Sequence, residues 1–458
     1  MAKTNPAAAE DKLATLLIGV DSLFGADVMH ESGAHHFIAD SWILGISPPP
    51  IYGDSFPREA RSSGDILKDA QAVNAFVNRW RLHVLPQEIK ELSRTFKKDD
   101  KRNISDLTDS LSVILDTAVA DVDKTKVPSF EQRYRAGTAN TVDYIGIADP
   151  RDAREKLRET LAQVGYEVSP SRNLRETVLV WGEAQKPLAP EKVADEARKI
   201  NAELLTVMRS NVFSKLNFRV KGHNHDLSDV AFDGHRFETI SGVHFTGSSI
   251  YQGGEKEGVP TLKGLFEYNT DHPVTEISLT TLCAHEVIGH YINAAVKDLL
   301  WRDGQLGFLA TIGVMCSPQV VFEEGWAQNI FELMYGSRDA AAEVYGKHLL
   351  VALAHEDLQD FGKHNASILY QRDGASLDDV RRHLTEDCVQ ADHIVKKLSG
   401  AWAQHPVLGP LYGPAYLKGR EMVNAAIREH GNVAVAEIGY HLKGLVHIGT
   451  FQEKVARL

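Results

Sequence analysis

The segment Leu279 to Trp301, LTTLCAHEVIGHYINAAVKDLLW, sets His285 beside Glu286 and brings His290 close behind. A neutral imidazole nitrogen is a good transition-metal ligand, and a carboxylate next to one is placed to take a proton from an activated water. A zinc-binding HExxH puts its histidines four residues apart, on one face of a helix. Here they are five apart. At roughly 100° per residue that separates them by about 140° on a regular helix, too far to grip one ion. Both can reach it if an extra residue is taken up as a π-type bulge, a distortion found mostly at functional sites. Gly289, without a Cβ, eases that distortion next to the second histidine. The spacing therefore predicts a widened turn over 285–290.

A second segment, VVFEEGWAQNIFELMYG from Val320 to Gly336, supplies acids. Its Glu324-Gly325-Trp326-Ala327 resembles the NEGFA motif of the thermolysin-like aminopeptidases, zinc enzymes of the gluzincin type. In those enzymes the glutamate, on a following helix, is the third metal ligand. The resemblance implies that His285, His290 and Glu324 hold Zn²⁺, with Glu286 as the catalytic base. Glu324 lies 34 residues after His290, room for one helix to finish, a turn, and a second helix packed antiparallel. Two histidines and one carboxylate leave a fourth position open, as in catalytic rather than structural zinc sites.

Two families resemble the paired segments. HEVIGH followed by Glu323-Glu324 is similar to dipeptidyl-peptidase III, with its HELLGH and EECRA-type motifs, and keeps the five-residue spacing. A bacterial domain-of-unknown-function family with HExxPGHH and EGWA motifs, held to be metallopeptidases, resembles the chain over a longer stretch, from about Gly258 to the end. GASLDDVRRHLTED, GPAYLKGREMV and IGYHLKGLVHIGTFQEKV carry that likeness. The chain departs from that family in lacking the proline and in having Tyr291 where its second adjacent histidine stands.

Further roles follow as expectations. Glu323 is assigned to orient a ligand histidine. Tyr416, in GPAYLKG, is the first choice as donor to a developing oxyanion, with Tyr412 and His405 as competitors. KGLFEYNTDHP, 263–273, alternates like an edge strand able to pair with a substrate backbone; its Asn269 is a candidate for a substrate amide, and His272 for a turn cap. Arg420, or Arg381 and Arg382, is a candidate for a substrate carboxylate. Cys283 reads as core, and the His223–Asp226 run as a polar loop rather than a second metal site.

These residues need a scaffold. The chain has 458 residues, 43% hydrophobic and 24% charged, enough for a large globular core. The expected fold is mainly α, a large helical domain with a small β subdomain beside the zinc-binding helix. Its segments are 1–209, helical; 210–272, a small irregular sheet; and 273–458, helical and catalytic, all in one integrated globule. Helices are expected at 273–301, 317–335, 338–361, 376–398, 413–430 and 432–443, with two more between Pro150 and Arg209. Ser376 with Asp379 reads as a capping box and Gly431 as a C-cap. Gly45–Gly64 is turn-rich, and FKKDDKRN, 96–103, is expected to be a solvated turn.

The net charge of −12 argues against nucleic-acid or anionic-membrane partners. Three cysteines without paired spacing, no recognisable signal peptide and no run of ~18 apolar residues lead to the expectation of a soluble, cytoplasmic protein. No G-x-S-x-G elbow, phosphate loop or G-x-G-x-x-G is present. The expected function is zinc-dependent hydrolysis of an amide or peptide bond in a short peptide. The alternatives are a zinc enzyme acting on a small metabolite amide, and a non-catalytic metal-binding protein, against which the intact Glu286 speaks.

Overall fold

A computed structural model of the chain describes residues 6–24, 38–41 and 67–458, apart from 68, 95, 97, 140, 142–144, 218, 221–224, 233, 243–245, 272 and 443–446. The Gly45–Gly64 turn region, His223, Asn224 and His272 lie outside the described residues. The fold is mainly α with a small β part, as the apolar spacing predicts. One apolar core runs from Leu13 through Phe213, Phe266, Tyr291 and Trp326 to Phe451, so the three segments share a single interior.

Local sequence sets the helix ends near the site. Thr275 and Ser278 form a reciprocal capping box that starts the helix Glu276–Cys283. The chain continues without a break through Ala284–Tyr291 into Ile292–Arg302, the whole forming the histidine helix. Gly304, at φ +68°, closes it. The glutamate helix, Pro318–Gln328, begins with Ser317 as N-cap and proline at its first position. The tyrosine helix is Gly413–His430, with the bounds expected, and ends at Gly431. The Ser376–Asp379 capping box is present.

The glutamate and tyrosine helices cross where glycine meets glycine. A Cβ on Gly325 would lie 2.4 Å from the Gly419 carbonyl, and one on Gly419 would lie 2.1 Å from the Val321 oxygen. No other residue type lets these backbones approach so closely.

The sheet has three strands in the order His235–Ile240, Val259–Asn269, Gly247–Lys256. The first pair is parallel, with Phe237 opposite Phe266. The second is an antiparallel hairpin whose two loop residues, Glu257 and Gly258, both have positive φ, the geometry of a type I′ turn. Residues 263–269 therefore lie in the central strand, and Gly247–Lys256 is an edge. Sequence reading passed over that edge because GSSIYQGGEK is rich in Gly and Ser. The sheet packs on the histidine helix through two hydroxyls. Tyr291 donates to the Leu262 carbonyl (2.7 Å), and Tyr251 to the buried Asp298 carboxylate (2.7 Å). Tyr291 thus has a structural task at the position where the resembling family has a histidine.

Two further expectations are corrected. Lys98 starts a helix running to Asp123, so most of the 96–103 charge run is helical rather than a turn. Between Pro150 and Arg209 there are three helices, because Asn173 and Glu176 cap an additional one at Leu174–Ala184.

Candidate metal centre

Residues Ala284–Tyr291 form a π-helical turn, the widening that the histidine spacing requires. Gly289 lies on the inside of this turn, where a Cβ would come 2.7 Å from the Ala327 Cβ on the glutamate helix. The wide turn rotates His290 onto the face that carries His285. Their Nε2 atoms stand 3.1 Å apart, and the Glu324 Oε2 lies 3.4 Å from one and 3.7 Å from the other. With metal–ligand bonds of about 2.0–2.1 Å, ligands on a tetrahedral ion sit roughly 3.3–3.4 Å apart. The three donor atoms match that spacing. Glu324 is buried, and its Oε2 accepts no hydrogen bond, an arrangement that costs stability unless a cation completes it. Among the described residues, His285, His290 and Glu324 are the group that could hold a metal ion.

The electrostatics fit the same picture. Burial would raise the Glu324 carboxyl, but the two imidazoles outweigh it and hold the group well below the usual carboxylate range. Burial would lower His290, yet the Glu324, Glu286 and Glu323 carboxylates lift it to about 9. A concentration of negative charge strong enough to retain a proton there also favours a divalent cation.

The other oxygen of Glu324 is fixed from the tyrosine helix. Tyr412 Oη donates to Glu324 Oε1 at 2.5 Å, and the Tyr416 hydroxyl lies 2.9 Å from that of Tyr412. With the Tyr412 proton committed to Glu324, Tyr416 is the donor in the tyrosine pair. Tyr412 sits in another π-type turn, Leu408–Tyr412, where Pro410 removes an amide donor from the helix ladder.

All these groups open into a cleft of about 550 Å³. Glu286 lines it beside His285, with Tyr416 on the same cleft. The edge strand contributes Gly247, Ser248 and Ser249 to one wall. Lys363, Lys397 and Trp402 line another part.

Five expected roles are placed elsewhere. Glu323 does not reach a histidine ring; it pairs with Lys297 and accepts from Gln319 (3.0 Å). Asn269 is buried at the end of the central strand, where its Oδ1 accepts from the Asp271 amide (2.9 Å), and it does not line the cleft. Arg420 is buried in ion pairs with Asp357 and Asp360 and also lies outside the cleft lining. His405 accepts the Val407 and Leu408 amides through Nδ1, a structural cap. Arg381 and Arg382 pair with Asp378 and Asp379 on their own helix. Cys283 is fully buried, as expected for core.

No protein-family model matches the sequence, and no curated protein matches it. Solved structures of similar fold include "the putative lipoprotein from Colwellia psychrerythraea", with a TM-score of 0.50 and 12% identity over 88% of this chain and 72% of that one. Another is "a putative lipoprotein of unknown function from Shewanella oneidensis", with a TM-score of 0.47 and 11% identity over 89% of this chain and 80% of that one. The expectation of a cytoplasmic location is withdrawn, since the Colwellia chain of similar fold is described as a putative lipoprotein. Cys283, Cys316 and Cys388 are each buried and unpaired, so their lack of disulfides says little about the redox compartment. Among the described residues no helix is long and apolar enough to cross a membrane.

Proposed function

We propose that this protein is a zinc-dependent hydrolase of the gluzincin type that cleaves an amide or peptide bond in a short peptide or similar small amide. The observation that carries the reading is the convergence of two imidazole nitrogens and one unpartnered buried carboxylate oxygen at tetrahedral spacing, with Glu286 on the same cleft. A zinc ion held by these three residues would supply Lewis acidity and lower the pKa of a water in its open position.

The protein's own groups do the rest. Glu286, beside a ligand but not one itself, takes the proton of the attacking water and delivers it to the leaving nitrogen. Tyr412 orients Glu324 through its hydroxyl. Tyr416 can turn its hydroxyl from Tyr412 toward the oxygen that gains charge, since its proton is held by that single contact. The edge formed by Gly247–Ser249 can pair with an extended substrate backbone. A 550 Å³ cleft suits a few residues of peptide or a compact amide.

Metal analysis of the purified protein, combined with a screen of dipeptides, tripeptides and N-acyl amino acids, tests this. About one zinc per chain and turnover of at least one such class are expected. Protein that takes up no transition metal ends the proposal.

A further inference from the structure

The cleft contains a cation without a counter-ion. Lys397 lines it at the end of the helix Asp392–Lys397, half-buried, and no carboxylate of the described residues stands within 4 Å of its amine in an ion pair. A second lysine lines the same cleft. Lys363, from the helix His348–Ser367, places its amine 3.1 Å from the centre of the Tyr416 ring and 5.9 Å from that of Trp402. Trp402 in turn stacks on Tyr412 at 5.2 Å. Lys363 is therefore one aromatic ring away from the hydroxyls that hold Glu324.

Lys363 has one carboxylate partner, and Lys397 has none among the described residues. Asp360 approaches Lys363 only to 3.6 Å and is shared with Arg420 at 3.5 Å and Gln328 at 3.4 Å. Burial lifts the Asp360 carboxyl to about 7, so it is partly protonated at neutral pH. Burial also raises the Glu356 carboxyl. Burial and the charge of Lys363 lower the Lys397 amine to about 8, leaving it mostly protonated at neutral pH. Two partly desolvated ammonium groups lining one cleft oppose folding unless an anion joins them. Aromatic faces offset some of that cost for Lys363 but offer nothing to Lys397.

We infer that Lys363 and Lys397 form a subsite for a carboxylate of the substrate, so that the cleft takes amides bearing a free carboxylate close to the scissile bond. This rests on the hydrolase reading for the word substrate, but the anion site itself does not. Two sources share the chemistry: the terminal carboxylate of a peptide or N-acyl amino acid, and the side chain of an internal acidic residue. It also moves the carboxylate contact from Arg420, which is occupied by its own acids, to residues that face the cleft.

The test is binding to the full-length, metal-free protein, where no hydrolysis occurs. Acetyl-Ala-Ala, its C-terminal amide, and acetyl-Ala-Asp-amide are titrated calorimetrically. The free acid should bind at least about tenfold tighter than its amide, the contribution of a charge-assisted hydrogen bond. Equal strength for acetyl-Ala-Asp-amide would assign the side-chain source, and preference for the free acid the terminal one. Lys397→Met and Lys363→Met should each erase the difference, Lys397→Arg should retain it, and thermal melts check that the variants fold. Equal binding of acid and amide by the wild type, or an undiminished preference in Lys397→Met, overturns the inference. Zinc content, measured separately, decides the metal reading whichever way this result falls.

Discussion

Tyr412 donates its phenolic proton to Glu324 across 2.5 Å, joining a π-turn on one side of the cleft to a metal-ligand candidate on the other. Removing a partner that orients a ligand typically costs 10–100-fold in metal affinity. Tyr412→Phe should therefore weaken zinc binding by roughly that factor, read as the chelator concentration that strips the protein. Tyr416→Phe, one hydroxyl further away, should change metal affinity much less. Equal metal loss in both would mean that the two tyrosines act as one unit.

Ligand and base should separate cleanly. His290→Ala and Glu324→Ala are expected to abolish stoichiometric zinc. Glu286→Gln keeps the shape of the side chain but cannot accept a proton, so zinc content should stay at the wild-type level. Its kcat should fall by about 10²–10⁴ with a much smaller change in KM. Full turnover by zinc-loaded Glu286→Gln protein would refute the hydrolytic role of this residue.

The glycine crossing makes a prediction about stability. A methyl group on Gly419 would meet the Val321 carbonyl oxygen at 2.1 Å, and backbone cannot swing aside as a side chain can. Gly419→Ala should lower unfolding free energy by about 3 kcal/mol, seen as a shifted urea midpoint at unchanged slope. Gly182→Ala, where nothing lies within 4 Å of the added carbon, serves as the control.

His364 predicts an acid limb. It is fully buried with its Nε2 hydrogen bonded to the Gly146 carbonyl at 3.2 Å, and burial together with the charge of Lys418 lowers it to about 3. Below the ordinary histidine pKa near 6.5 the unfolded chain binds a proton that the folded one refuses, so stability falls as pH drops between about 6.5 and 3. The slope from this one group is at most about 1.4 kcal/mol per pH unit. His364→Gln should be less stable than wild type at pH 7 but lose less of its remaining stability on going to pH 4.5. Parallel loss in the two proteins would assign the acid sensitivity to other groups.

Much of the centre was legible because ligand chemistry constrains sequence tightly. Five-residue spacing next to Gly289 admits a shared ion only through a wide turn, and that turn is present. The tyrosine helix was bounded by Gly413 and Gly431, residues with local conformational consequences. What stayed hidden depends on tertiary partners. Lys297 claims Glu323, and Asp357 and Asp360 claim Arg420, through contacts that no local pattern announces. Pro410 was the available signal for the π-turn that carries Tyr412. The strand Gly247–Lys256 escaped because its stability comes from the hairpin ladder rather than from β-branched side chains.

The wide turn at 284–291 also acts as a phase adjuster for everything downstream on its helix. Deleting Gly289 would create an ordinary four-residue HExxH motif and, on sequence grounds, a more conventional ligand pair. Because the wide turn already absorbs the extra residue, this deletion would leave Lys297, Asp298 and Arg302 in their present phase, facing Glu323, Tyr251 and Glu255. The inserted residue is thus confined to one turn, and the histidine face and the sheet-facing residues beyond it keep a common phase.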